Sequence, residues 1–227
     1  MTDNRTERRH DDVQPGPTLS VLRLNLVNRY VAQRLLFRGG LERKPVNASV
    51  FRLVWPLLTQ RRLLMPLMRP KGITCFYSRA LVRRLARLIG DRPCLEIAAR
   101  DGTLSRFLAA EGVRITATGD HSRHRTAEHP DDVLNEDPRV ALRAHQPQVV
   151  LCSWPPPGNS FEQHVFRTPS VELYIVVSTR DESLAGDWDA YRDQADFVRF
   201  ADPQLNRLVL PPEIEPAVLI FRRVGEQ

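Results

Sequence analysis

The stretch Cys94-Leu-Glu-Ile-Ala-Ala-Arg-Asp-Gly-Thr-Leu-Ser-Arg-Phe-Leu-Ala-Ala-Glu-Gly-Val-Arg-Ile-Thr-Ala-Thr-Gly-Asp120 decides the fold. A short apolar run, Cys94 to Ile97, contains the acidic Glu96. A tight turn, Ala98 to Gly102, leads into a helix-like segment from Thr103 to Glu111. A second apolar run, Val113 to Thr118, leads to Asp120. The order strand, turn, helix, strand is the front half of a nucleotide-binding β-α-β unit. It sets a loop and a helix N-terminus at the carboxyl end of a strand, where cofactors bind. An acid roughly 20 residues further on is placed to hold ribose hydroxyls.

The layout resembles the first two motifs of class I S-adenosylmethionine-dependent methyltransferases, whose loop usually reads acid-x-Gly-x-Gly-x-Gly. Glu96 stands at the acidic position, and the three glycine positions fall on Ala98, Arg100 and Gly102, so only the last glycine is kept. The resemblance covers roughly residues 72–223. It implies a Rossmann-like α/β sheet with flanking helices, S-adenosylmethionine as cofactor, and cofactor-binding roles for Glu96, Ala98, Ala99, Arg100, Gly102 and Asp120. Ala98 and Ala99 are small enough for a cofactor lying on the backbone. Arg100 either points outward or reaches the carboxylate of the cofactor's methionine moiety. Asp137 is expected near the adenine amino group, with Asp131 and Asp132 competing for that role. Ser153-Trp154-Pro155-Pro156 follows the fourth strand and loosely matches the short Pro-Pro-aromatic motif of amino-methylating members. It is expected to face the substrate as a rigid wall.

Other chemistry finds less support. Gly-x-Ser-x-Gly, Gly-x-Gly-x-x-Gly and Walker-type Gly-Lys-Ser/Thr loops are absent from the sequence. His121, His124 and His129 lack helical pairing or cysteine partners, so no metal site is expected. The three cysteines, Cys75, Cys94 and Cys152, are scattered and odd in number, which suits a reducing compartment.

Hydrophobic residues make up 42% of the chain, enough for a real core, yet no apolar run approaches the ~20 residues needed to span a bilayer. The charged N-terminus lacks the apolar segment of a secretory signal. A cytoplasmic protein is the expectation. Charge is divided unevenly: residues 1–92 carry 19 Lys and Arg against 6 Asp and Glu, and the other 135 carry 14 against 21. A basic front on an acidic body either packs against its own domain or attracts an anionic partner.

Along the chain, residues 1–18 read as a disordered tail, 19–71 as a helical segment and 72–227 as the Rossmann-like domain. Helices are predicted over Leu19–Phe37, over Ser49–Met68 in pieces broken by Pro56 and Pro66, and over Phe76–Ile89, Asp137–His145 and Asp187–Asp193. Continuous apolar runs at Gln148–Ser153 and Val171–Ser178 predict buried parallel strands. A strand at Asp132–Asn135 and final strands at Phe197–Ala201 and Ala217–Arg222 complete the pattern. Methyl transfer to an unidentified acceptor, a small molecule in preference to nucleic acid, is the leading reading. The alternatives are a non-catalytic relative acting as a binding or scaffolding protein, and a nucleic-acid-binding module using the basic front segment.

Overall fold

The computed structural model describes residues 24–119 and 132–225. The expected tail, Asp120, Asp131 and the three histidines 121, 124 and 129 lie outside the described residues.

Three short helices open the described chain: α1 (Leu26–Leu36), α2 (Ala48–Val54) and α3 (Arg61–Met68). Asn25 and Asn47 cap the first two through their side-chain oxygens. Pro56 falls in a 3-10 turn between α2 and α3, and Pro66 lies inside α3. The buried faces of these helices (Leu36, Phe51, Trp55, Leu64 and Met65) share one apolar cluster with the sheet and its first helices.

One predicted helix begins later than its pattern suggested. Phe76–Tyr77 forms a strand, β1, that pairs antiparallel with β8 (Val209–Leu210), and Ser78 then caps α4 (Arg79–Ile89) by accepting from the Leu81 N–H. An aromatic pair satisfied by a distant strand is invisible to helical periodicity. In α4, Leu81, Val82, Leu85 and Ile89 are buried while Arg79, Arg83 and Arg87 face solvent.

The main sheet is built from β2 (Cys94–Ile97), β3 (Ile115–Gly119), β4 (Val133–Asn135), β5 (Val149–Ser153), β6 (Leu173–Thr179), β7 (Phe197–Ala201) and β9 (Pro216–Arg223). Among the described residues its order is β4-β3-β2-β5-β6-β9-β7. β2 pairs parallel with β3 on one side and β5 on the other, while β9 runs antiparallel to both β6 and β7. The chain therefore leaves β2 toward β4 and returns to β2's other flank at β5. Such a reversal is a topological switch point at the carboxyl ends of β2 and β5, the place where ligands bind in open α/β sheets. The order, with its antiparallel strand inserted next to the edge, is that of the class I methyltransferase fold.

Both faces of the central strands are apolar because helices cover both. Cys94, Val149, Leu151, Leu173 and Ile175 point to the side of α4 and α5 (Thr103–Ala110). Leu95, Ile97, Val150, Cys152, Tyr174 and Val176 point to α6 (Pro138–His145), α7 (Glu162–Arg167) and α8 (Trp188–Asp193). The helix α7 was not expected; Pro155 to Gly158 reads as loop, and six helical residues are too few for a period to show. No helix among the described residues is long and apolar enough to cross a membrane.

Gly102 is the one glycine on which the central turn depends. Its φ is 61°, and a Cβ there would meet Val133 Cγ2 at 2.7 Å. Gly102→Ala is therefore expected to cost about 2–4 kcal/mol from left-handed strain and overpacking together. The urea midpoint of the variant against the parent protein measures this; an unchanged midpoint would show that Val133 yields freely.

Candidate functional site

The site grows from the end of β2. Glu96 is fully enclosed, and its Oε2 accepts from the Ser105 N–H at 3.0 Å and from the Ser105 hydroxyl. A carboxylate in the strand is thus tied to the first turns of α5, and the residues between them must reverse within a few steps. They do so through three left-handed positions: Ala98 at φ 53°, Arg100 at φ 52° and Gly102 at φ 61°. These are the three positions at which the resembling motif carries glycine. Ala98 and Arg100 hold this conformation despite a cost of roughly 1–2 kcal/mol each for residues with a Cβ. Ala99 fixes the loop from beneath, donating its N–H to the Thr118 carbonyl at 2.8 Å and packing with Ala117 and Val133.

Asp101 lies just before the Gly102 N-cap of α5 and accepts from the Thr103 N–H at 3.2 Å and its hydroxyl at 2.8 Å. The same carboxylate accepts both contacts of Arg43 Nη2, at 2.7 and 2.8 Å. Arg43 comes from the stretch between α1 and α2, is buried, donates from Nη1 to the Cys75 carbonyl at 2.7 Å, and lies 5.3 Å from the Tyr77 ring centre. Tyr77 in turn shares a 2.6 Å hydroxyl hydrogen bond with Ser153 at the end of β5. Sequence reasoning passed over Arg43, which sits in an ordinary basic segment.

Beyond Ser153 the chain turns sharply into the proline segment. Trp154 takes a left-handed φ of 55°, donates its N–H to the Val177 carbonyl at 2.8 Å, and is buried with Pro155; Pro156 is exposed. Arg100 donates from Nη2 to the Trp154 carbonyl at 3.2 Å, so its side chain spans from the β2 loop to the β5 loop. Arg43 Nε, an enclosed donor near these loops, has no hydrogen-bond partner among the described residues, while the Trp154 side chain lies against the Cys75 thiol.

Behind the wall is Glu162, also missed in the sequence. It accepts from the Tyr174 hydroxyl, from Tyr191 at 2.5 Å, from the Asn159 amide at 2.6 Å and from the Asp187 N–H at 2.8 Å. Asn159 also donates to the Pro156 carbonyl at 2.8 Å, which ties the proline segment to this buried carboxylate. Asp137 does not join these loops through its capping bond. It is exposed and accepts from the Arg139 N–H at 2.8 Å as the cap of α6. Asp132 is exposed, next to Val133.

Burial drives the titration of the enclosed acids. It pushes the Glu96 carboxyl up to about 7, against the Ser105 hydrogen bonds, with the Asp101 charge adding to the rise. It also raises Glu162 despite that residue's donors. For Asp101 burial acts in the same sense, but the charge and hydrogen bonds of Arg43, helped by Thr103, outweigh it and hold the carboxyl below its ordinary range. Among the described residues no cluster of three or more His, Cys, Asp or Glu is arranged to hold a metal ion.

No family model matches the chain, and no curated protein matches it. Solved structures do align with it. The 23S rRNA methyltransferase ErmE is 21% identical over 66% of this chain and 69% of its own, with a TM-score of 0.41. The magnesium protoporphyrin IX methyltransferase of Synechocystis PCC 6803 with bound cofactor is 10% identical over 64% of this chain and 79% of its own, at 0.43. The Pyrococcus abyssi tRNA (uracil-54, C5)-methyltransferase is 17% identical over 64% of this chain but only 37% of its own, at 0.41. The strand order defines the class of fold independently of these overlaps.

Two stability measurements test the electrostatics. A folded-state value above the ordinary 4.5 means that the native protein keeps a proton on Glu96 that the unfolded chain has released, so stability falls as pH rises from about 4.5 to about 7. Glu96→Gln keeps an acceptor for Ser105 and is expected to flatten that part of the profile; parallel slopes for parent and variant would show that Glu96 does not titrate there. Asp101 has the opposite sign: its contribution is present above the unfolded value and is lost as pH falls through the depressed folded one. Arg43→Met should cost about 1–3 kcal/mol near neutrality, since Asp101 is partly solvated, and should weaken this acid sensitivity. Equal acid midpoints for the two proteins would refute the assignment.

Proposed function

We propose that this chain binds S-adenosylmethionine in the crevice at the carboxyl ends of β2, β3 and β5 and transfers its methyl group to a small-molecule acceptor. The observation that carries this reading is the loop conformation. A turn whose only role was to join a strand to a helix could relax away from two left-handed non-glycine residues. Here the glycine path is kept at Ala98 and Arg100, where it is costly, and such strain characteristically persists at ligand-binding turns.

The residues present fit such a ligand. The loop from Ala98 to Gly102 offers its backbone at the switch point of the sheet, and Arg43 Nε is an enclosed donor without a partner beside it among the described residues. Glu96 acts from below by fixing the loop to α5 through Ser105. Asp120, placed after β3 by the sequence, is assigned to the ribose hydroxyls, and Asp137 or Asp132 to the adenine side. The bound cofactor supplies an electrophilic methyl group on a sulfonium centre. Ser153, Trp154, Pro155 and Pro156 bound the acceptor side, holding it in place and keeping water out; orientation of this kind contributes much of such a rate, so no side-chain base is assigned. Scattered cysteines without a disulfide among the described residues support a cytoplasmic reading.

A specific contact favours the second reading, a non-catalytic relative. The Arg100 guanidinium bridges to the Trp154 carbonyl across the two loops that flank the crevice. Calorimetric titration with S-adenosylmethionine and S-adenosylhomocysteine separates the two. Micromolar binding weakened by Asp120→Ala is expected, and silence with both ligands would support the cofactor-free reading. Arg100→Gly removes the bridge and relieves a φ of 52°, so it should stabilise the protein by roughly 1 kcal/mol and tighten binding. Weaker binding in that variant would assign the guanidinium to the cofactor's carboxylate.

A further inference from the structure

A cleft between α6 and α7, formed by residues other than those of the crevice, has the composition of an anion site. Its volume is about 990 Å³, at the upper end of the range for small-molecule sites. Arg139 and Arg143, one turn apart on α6, face it together with Arg167 from the end of α7. Among the described residues none of these three guanidinium groups has a side-chain hydrogen bond or ion pair. Arg167 also borders a neighbouring cleft lined by Asp187, Asp189, Asp193 and Asp196, none of which forms an ion pair with it, and the carboxylates beside α6 have partners of their own. Glu136 pairs with His145 at 3.0 Å, and Asp137 caps its helix.

Two enclosed polar atoms in the cleft lining also lack partners: His164 Nε2 and Ser170 Oγ. Partial burial and the charges of Arg139, Arg167 and Arg143 hold the imidazole below its ordinary pKa, so it stands neutral with one ring nitrogen uncommitted. Leu142 and Pro169 give the cleft an apolar part. The arrangement differs from the arginine face of α4, where Arg83 pairs with Glu111 and Arg84 donates to Gln204. Three unpaired guanidinium groups around a concavity suit the several oxygens of a phosphoryl group, which they can engage in charge-assisted, bidentate contacts.

We propose that this cleft binds a phosphorylated small molecule of nucleotide size, its phosphoryl oxygens held by Arg139, Arg143 and Arg167 and its remaining polar groups by His164 and Ser170. The inference does not depend on methyl transfer. A concave site with an apolar part favours a small ligand over a nucleic-acid backbone, which needs a longer basic track.

Calorimetry on the full chain with inorganic pyrophosphate and with ATP tests the assignment. Both should bind, and Arg143→Gln combined with Arg167→Gln should weaken them about tenfold or more, the effect of losing roughly 1.4 kcal/mol or more of binding free energy. Arg83→Gln with Arg87→Gln on α4 removes the same charge elsewhere and should leave both affinities unchanged, which separates a site from bulk electrostatics. Circular dichroism confirms that the variants fold; if the cleft pair unfolds, Ser170→Ala and His164→Gln, each expected to weaken ATP, carry the test. Three results overturn the proposal: no heat with either probe at millimolar concentration, equal weakening by the two double variants, or loss of ATP binding when S-adenosylhomocysteine is added, which would move the nucleotide to the crevice. A short single-stranded RNA that binds more tightly than ATP, and is weakened by the cleft variants, would replace the small ligand by a polynucleotide.

Discussion

The carboxyl of Glu96, enclosed in the central strand and joined to Ser105, is the constraint on which the site depends. It links β2 to the beginning of α5 over nine residues, and a chain so tethered has to reverse direction almost at once. Left-handed steps at 98, 100 and 102 achieve this. The cost of holding them is met by neighbours that leave no alternative: Thr118 takes the Ala99 N–H, Val133 closes the space over Gly102, and Asp101 secures the helix start. A loop determined from every side keeps its path even where two of its left-handed positions are not glycine, because the surroundings rather than the residue's own preference fix φ.

The N-terminal helices bear directly on this loop. Arg43 connects them to the site through an ion pair, and it joins the half-buried Asp101 to the Cys75 carbonyl and the Tyr77 ring. Tyr77 passes the connection to Ser153 and so to the β5 loop. On the far side Glu162 gathers donors from β6, α8 and the segment after Pro157. The two walls of the crevice are therefore held by buried charge on opposite sides of the sheet. Such groups are costly to leave unpaired, and this makes the geometry specific.

Much of the fold was readable in the residues. The apolar runs at Cys94–Ile97, Val149–Ser153 and Leu173–Thr179 announce strands buried on both faces, and the periodicity of α4 announces a helix. β1 was misread as helix because Phe76 and Tyr77 continue the apolar period of α4 while their partners, Leu210 and Val209, lie far along the chain. α7 escaped because six residues carry less than two turns of pattern. In the site, Glu96, the loop and the Trp-Pro segment were legible from their order after strands. Arg43 and Glu162 were not, since each looks like an ordinary surface charge in its own neighbourhood.

By itself the sequence determined the alternation of strands and helices, the reversal at residues 98–102 and the placing of Ser153–Pro156 after a buried strand. These follow from local period, side-chain size and chain order. Only the tertiary structure decided that Ala98 and Arg100 take glycine-like angles, that Arg100 reaches Trp154, and that Arg43 closes on Asp101 from 58 residues away. The physical reason is that burial and pairing of a charge depend on what the whole fold brings beside it. An arginine or glutamate carries no mark of its future partner, and only the packed sheet supplies one.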